Sequence, residues 1–417
     1  MKTESRWLFR QLGALRDTQV MLQWIKKLSP IPDEAAIALK SYLEEQEDRH
    51  RNDAESAIQN FGHKKWTAWR RQLSPRTRTI PMEGAVFQHL ALERWLDLKE
   101  CHHLALRNRS QAAYHRVRLA LKKFRYTVEN FLPARRERWG PELKEIQLLL
   151  GEVHDLDVLW RTALTLHAIR SEDARGQWRQ HIREESRDRL DRYHLKMAGR
   201  TSRLLAWREE LPRPDRLRAA ALARFRAWAS FRDPDEFRSE HVSRLSLQIY
   251  DGLESLGLAQ GKEMPEERWM LETAAFARTV GIIEGEKKYQ TSSYRLIRKL
   301  KYLVGLDADA IQQIALVVRF HRGSLPRSDQ KALAGISSRK LASIIMLSGI
   351  LRLADAFDKR HGMRINRLHL HRHGNTLLIT APGYSGGDIS AEKLAGARHL
   401  LECACRMPVV ISGQEAE

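Results

Sequence analysis

Cysteine is nearly absent: the 417 residues hold three thiols, Cys101, Cys403 and Cys405. So few exclude a disulfide framework. Cys403-Ala404-Cys405 lacks both the gap and the second ligand pair of a zinc knuckle, so all three read as structural thiols. Long hydrophobic runs are missing as well. No apolar stretch approaches the roughly 18–20 residues of a membrane span, and the N-terminus has no signal-peptide core. The expected location is therefore cytoplasmic, with no membrane partner. No G-x-x-x-x-G-K-[ST] and no strand–glycine–helix unit occurs, so a nucleotide phosphate loop is not expected.

Acidic charge is the other deficit. The chain carries 72 Lys+Arg against 52 Asp+Glu, a net charge of +20 with a pI near 10.1. An anionic partner follows as the first expectation. Residues 1–211 hold 40 basic and 29 acidic side chains, so the excess is not confined to a tail. It is densest over 101–150, with 11 basic against 4 acidic residues.

That window contains Tyr114–Pro133, which separates into two faces at helical spacing. His115, Arg118, Lys122, Arg125, Tyr126 and Glu129 share one side, and Val117, Ala120, Leu121, Phe124, Val128, Phe131 and Leu132 the other. Arginine offers a planar fork of donors for phosphate oxygens, lysine a point charge and histidine a switchable one. Such a ridge suits an extended polyanion, although a solvated face on a core helix has the same pattern.

A repeat organises the first half. Arg6–Met21 and Lys144–Leu159 align so that Gly13, Asp17 and Val20 match Gly151, Asp155 and Val158. Each copy reads as a helix end, a glycine-marked break and an Asp capping or bracing the next helix. Helical patterns cover roughly 33–60, 63–73, 85–108, 112–132, 156–170 and 175–211, with turn chemistry at Ser29-Pro30, Ser74-Pro75 and Gly140-Pro141. Residues 183–210 read as an exposed, charge-laced helix. A boundary is expected near Leu211–Pro214. Beyond it helical patterns run to about 304 with a break at Gly257–Pro265, then over 308–322 and 337–361. Ile365–His371, Thr376–Thr380 and Pro408–Ser412 read as strands around a Gly374-Asn375 turn and a helix at 390–406. The fold class is mainly all-α with a small α+β tail.

The motif H-x-x-R-x-x-x-K-K-x-R-Y, carried by His115, Arg118, Lys122, Lys123, Arg125 and Tyr126, precedes L-G-E-V-x-D-L-D-V-L at Leu150–Leu159. Together they resemble the second half of a CHAD domain, over about residues 1–211. The resemblance implies two helical bundles around a basic surface that binds inorganic polyphosphate. It makes those six residues, with Arg6, Arg16 and Lys144 on the repeat segments, the candidate phosphate contacts. The repeat offset puts the partner of His115 before Met1, so the first repeat is expected to lack its basic helix, through a late start or a real loss.

In the second half, His241-Val-Ser-Arg, Ala274–Gly281, Tyr294-Arg-Leu-Ile, Arg319-Phe-His321-Arg322 and Leu351–Asp358 occur in order. Over about residues 216–412 they resemble the HD-type C-terminal domain of the exopolyphosphatase/guanosine pentaphosphatase family. A metal site of that type needs imidazoles and carboxylates converging on divalent ions. Here the central His-Asp is replaced by Arg278-Thr279, and Thr291 stands where a further histidine is expected. His241, His321 and Asp355 remain as residual positions. No metal or other cofactor is expected, and His321 and Arg322 read instead as part of an anion surface. The leading reading is a non-enzymatic polyphosphate-binding protein, associated in the cell with polyphosphate granules. A divalent-metal phosphohydrolase and a general nucleic-acid binder are the alternatives.

Overall fold

The computed structural model describes residues 2–72, 77, 79–259, 266–300, 303–358, 365–384 and 389–413. The chain divides into two compact units, Met1–Arg213 and Pro214–Glu417. As the sequence patterns imply, the architecture is mainly helical with one small sheet near the C-terminus.

In the first unit the helices are α1 (Lys2–Leu28), α2 (Glu34–Gln59), α3 (His63–Gln72), α4 (Ala85–Asn108), α5 (Gln111–Phe131), α6 (Pro133–Thr165), α7 (Glu172–Met197) and α8 (Arg203–Glu209). Asp33 starts α2 by accepting the Ala36 amide at 2.6 Å, and its other oxygen accepts the Trp178 indole N–H at 2.8 Å. That carboxylate ties the α1–α2 hairpin to α7. Below the hairpin, Met21, Trp24, Ile25, Leu39 and Leu43 pack with Leu156, Leu159, Trp178 and Ile182. A second cluster stacks Phe124, Trp139 and Trp207, with ring centroids 5.5 to 6.4 Å apart. Helix α6 serves both clusters, since 33 residues at 1.5 Å rise extend about 50 Å.

This continuity corrects the sequence expectation at two places. Gly13 lies inside α1 and Gly151 inside α6, so neither repeat copy contains a break; Gly140-Pro141 also lies within α6 rather than in a turn. A helix-interior glycine costs about 1 kcal/mol and a proline about 3 kcal/mol. Burial of Trp139, Leu143, Ile146, Leu150, Leu156 and Leu159, each contributing about 1.5–3 kcal/mol, outweighs them. Nor is 175–211 one helix, and 183–210 is not exposed throughout, Arg189 and Tyr193 being buried. The longer stretch divides at Gly199, whose φ of +82° favours glycine, and Ser202 caps α8. Trp178, Ile182, Arg189 and Tyr193 are buried, with Arg189 donating to Glu152 of α6 at 2.7 Å.

The second unit comprises α9 (Pro214–Ser230), α10 (Glu236–Ser255), α11 (Glu267–Ala277), α12 (Tyr289–Arg298), α13 (Ala308–Phe320), α14 (Ser338–Phe357) and α15 (Ile389–Cys405). Its sheet has the order β1 (His369–His373), β2 (Thr376–Thr380), β3 (Val409–Ser412). His369 pairs with Thr380 in the antiparallel hairpin, and Leu377 lies level with Val409 in the parallel pair. The first strand starts later than its alternation implies. Ile365 and Leu368 are buried in the helical core, and the Leu368 amide donates to Gln248 of α10 at 2.8 Å. The contacts of 365–368 therefore go to a helix, and pairing begins only at His369. Residues 74–75, 260–265 and 359–361, where a turn, a break and a helix end are expected, lie outside the described residues.

Helical continuity and close packing give glycine substitutions opposite signs. A Cβ at Gly13 or Gly151 meets nothing within 4 Å, so alanine at either should stabilise the first unit by about 0.5–1 kcal/mol. A Cβ on Gly349 of α14 would lie 2.9 Å from the Leu401 amide nitrogen of α15, and alanine there should cost about 1–3 kcal/mol. Urea denaturation of the three variants reads both signs. Destabilisation at Gly13 and Gly151 would mean that the backbone there is not helical.

Candidate functional site

The amphipathic division of α5 is realised in three dimensions. Ser110 caps it, its hydroxyl accepting the Ala113 amide at 3.3 Å. Val117, Ala120, Leu121, Phe124, Thr127 and Val128 are buried, which fixes the rotation of the helix. The opposite ridge carries His115, Arg118, Lys122, Arg125 and Tyr126. Tyr126 organises its middle: Lys122 Nζ lies 5.7 Å and the Arg125 guanidinium carbon 5.0 Å from its ring centroid. Arg125 reaches Glu129 at 3.6 Å, whereas Arg118 and Lys122 form no ion pair among the described residues. Lys123 is exposed but lies 100° around the helix from Lys122, off the ridge.

At the N-terminal end of the ridge the repeat acquires a physical meaning. Asp155 on α6 feels Arg118 of α5 together with Arg16 and Asp17 of α1. The two matching aspartates thus converge on one electrostatic environment, which the first ridge arginine enters from α5. Burial is the largest influence on Asp155; although Arg118 and Arg16 oppose it, Asp17 and Glu152 add to it, and the carboxyl is raised to about 6. The His154 ring lies against that of His115, tilted by 43° with centroids 4.8 Å apart. Burial, then Arg118 and His115, push its pKa down, so it is neutral near pH 7. The His115 Nδ1 is buried without a hydrogen-bond partner. These histidines border a pocket of about 740 Å³ that also takes in Gln111, Arg116, Asp157 and Arg161.

Arg16 is therefore brought to the site, while Arg6 and Lys144 are exposed farther out. Eleven residues separate Lys144 from Asp155 and Arg6 from Asp17. Each falls on the same helix face as its aspartate, about 16 Å away along the axis. Asp155, His154 and Arg161 were absent from the sequence-based set. The shared Gly-x-x-x-Asp spacing was the signal that could have marked Asp155.

In the second unit the residual HD-type positions do not converge as ligands. Arg278 is fully buried, with Nε 3.0 Å from Asp355 Oδ1 and Nη1 donating to Ser239 Oγ at 2.8 Å and the Ala275 carbonyl at 2.9 Å. Arg238 donates to the same Asp355 oxygen at 3.0 Å and faces Asp358 at 3.4 Å. Burial works to raise the Asp355 carboxyl, but Arg278, then Arg238 and His321, hold it down at about 2. Thr279 donates to Asp233 at 2.9 Å. His241 accepts from Arg244 through Nδ1 at 2.8 Å. Among the described residues no cluster of three or more His, Cys, Asp or Glu side chains is placed to hold a metal ion. The carboxylate that would bind a divalent ion is already paired with two guanidiniums, so these residues do not fit such a metal.

His321 also departs from its expected role. It is 2% exposed, its Nδ1–H donates to the Val318 carbonyl at 2.6 Å, and burial lowers its pKa to about 4. A neutral buried imidazole does not belong to an anion surface. Arg352 donates to the Phe320 and Gly323 carbonyls at 2.8 and 3.1 Å, closing the C-terminal end of α13. Only Arg322 stands exposed, over the Tyr289 ring at 5.2 Å. His369, His371 and His373 line the exposed strand β1. One spacing passed over in the sequence is Gly383-Tyr384-Ser385-Gly386-Gly387, a G-x-S-x-G pattern. Its residues 385–387 lie outside the described residues.

Residues 1–165 match the family model of the CHAD domain. Residues 233–381 match that of the Ppx/GppA phosphatase, domain III. The two matches cover the signature ridge in the first unit and the Arg278–Asp355 centre in the second. No curated protein matches the chain.

Two predictions follow from these charges. Protonation of Asp155 near pH 6 removes a negative charge beside Arg118, so if the ridge holds a polyanion its affinity should rise as pH falls from 7.5 to 5.5. Asp155→Asn should bind more tightly at pH 7.5 and show a smaller rise; an unaltered pH profile in binding isotherms would remove Asp155 from the site. In the second unit, Asp355→Asn should cost about 3–5 kcal/mol by leaving buried guanidiniums uncompensated, and Arg278→Met with Asp355→Leu should cost less than Asp355→Asn alone. Because the folded pKa is depressed, the stabilisation from Asp355 is present above about pH 4 and lost as pH falls toward 2. Urea denaturation across that range checks both statements.

Proposed function

We infer that this protein holds an extended phosphate polyanion, inorganic polyphosphate being the ligand its residues suit best, along α5, and that it does so without hydrolysing it. The observation that carries this reading is the ridge itself. Cationic side chains recur at helical spacing, Arg118 and Lys122 form no ion pair among the described residues, and the buried opposite face keeps them turned outward. A phosphate chain has repeating anionic oxygens and no fixed shape, so it can follow such a ridge. Binding by charge neutralisation with counterion release needs no closed pocket. The CHAD match over residues 1–165 supports the same reading.

The second unit acts in this account as a scaffold or secondary binding module. Arg278 and Arg238 on Asp355 weigh against the alternative, a divalent-metal phosphohydrolase. Metal content of the purified protein, and phosphate release with manganese or magnesium, separate the two. A cytoplasmic protein associated with polyphosphate granules is the cellular counterpart of the leading reading.

Replacing Arg118, Lys122 and Arg125 together by alanine should weaken polyphosphate binding by at least about 100-fold at low salt and flatten its salt dependence, with helix content by circular dichroism unchanged. Unchanged affinity in that variant would sink the assignment. Preference for duplex DNA over long-chain polyphosphate at equal salt would favour a nucleic-acid binder.

A further inference from the structure

Helix α7 carries Arg175, Arg179, Arg183 and Arg187 at successive i,i+4 positions. Like charges at that spacing destabilise a helix, and the i±3 neighbours of Arg179 and Arg183 are Gly176, Ile182, Gln180 and Ser186, none of which is acidic. Neither arginine forms an ion pair among the described residues. Elsewhere on this helix the opposite holds: Arg189 pairs with Glu152 and Glu185, and Arg192 faces Asp188 at 3.9 Å. Arg179 and Arg183 are thus a local exception on a helix whose later cations, Arg187 included, face carboxylates.

The stripe lines a concave surface. Arg179, Arg183 and Arg187 border a pocket of about 650 Å³, and Arg109 faces them from the link between α4 and α5. Arg109 has a φ of +44°, a left-handed conformation that ends α4 and turns the chain into α5. The tie between the two sides is the hydrogen bond of Tyr114 Oη to His194 Nε2 at 2.9 Å. One carboxylate, Asp191, lines the pocket, and it lies 3.9 Å from Arg187. Four exposed guanidiniums therefore meet one carboxylate around a single concavity. An anion relieves that repulsion. Arginine forks suit phosphate oxygens, and the stripe from Arg179 to Arg187 spans about 12 Å, room for several phosphate groups.

The position of the pocket says which anion. Gln111 lines it and also the pocket beside His115 and His154. Gln111 stands one turn before His115 on the α5 ridge, so the ridge leads directly into the arginine-lined recess. We propose that this recess is a second phosphate-binding segment of the same track: a chain laid on Arg118 and Lys122 continues past Gln111 and ends between Arg109 and the α7 stripe. The proposal rests on the polyanion reading of the ridge and adds a length requirement to it. Only a chain long enough to reach from ridge to recess engages both, and joining two sites on one ligand raises affinity well beyond either alone.

The test compares two variants against tripolyphosphate and long-chain polyphosphate over a salt series, with melting temperature as the folding control. Arg179→Gln with Arg183→Gln removes like-charge neighbours and should leave the fold intact or slightly more stable. It should lose roughly tenfold or more in affinity for the long chain and flatten the salt slope by about 1 to 2, narrowing the preference for long chains over tripolyphosphate. The ridge variant, Arg118, Lys122 and Arg125 to Ala, is measured in parallel. Weakening of the ridge variant alone would overturn the recess and leave the ridge reading standing. Weakening of the recess variant alone would keep an anion site there but overturn the ridge and the continuous track. Weakening of neither would overturn both, and weakening of both, with the length preference reduced in the recess variant, is the expected result.

Discussion

Burial of one face of α5 is the constraint on which the candidate site depends. Val117, Leu121, Phe124 and Val128 have no exposure to solvent, and a rotation that moved the cations inward would bring those side chains out. Each is worth about 1.5–3 kcal/mol buried, so the rotation is held by far more than the repulsion among the exposed charges can oppose. The cations are thus concentrated by apolar packing on the other side of the same helix, and binding energy is not needed to assemble them. A ridge already in place would lower the ordering cost of association for the proposed ligand.

A different solution governs the second unit. There the cation is internal: Arg278 occupies the centre of the helical core and is held by Asp355, Ser239 and a carbonyl. A buried ion pair adds little net stability over a well-packed apolar pair, yet losing one partner is severe. Such a centre therefore persists once formed. Asp355 is committed to Arg278 and Arg238, His321 to the Val318 carbonyl, and Arg352 to the end of α13. Side chains that could have faced a ligand are spent on holding helices together. This is what Arg278-Thr279 does at the position where the sequence resemblance implies His-Asp.

The sequence disclosed periodicity well and continuity poorly. The faces of α5, the helices at 34–59 and 85–108, and the β2 strand followed from apolar spacing because burial and spacing obey the same geometry. The break expected at Gly151 and the turn at Gly140-Pro141 failed because local propensity is small beside the packing of a helix that serves two cores. At the site, Arg118 and Lys122 were legible as ridge residues. Asp155 and His154 were not, since their significance comes from Arg16, Asp17 and Arg118 arriving from two other helices. His321 was misread for the same reason in reverse: a histidine between Phe320 and Arg322 in sequence is buried in the core.

Charge on α7 shows how sequence and structure divide the work of reading a helix. Its composition alone describes a solvated, salt-bridged surface; over residues 185–192 the ion pairs are there, although Arg189 makes its pairs while buried. One turn earlier the same composition produces unpaired arginines facing a recess, and nothing in the local charge count separates the two stretches. What separates them is the opposite wall. Glu152 of α6 lies within reach of Arg189, whereas Arg109 shares the recess with Arg179 and Arg183. A cation opposite a carboxylate stabilises the fold, and a cation opposite another cation raises the free energy of the empty protein. Under the proposed binding, an anion arriving there would recover that repulsion as binding free energy.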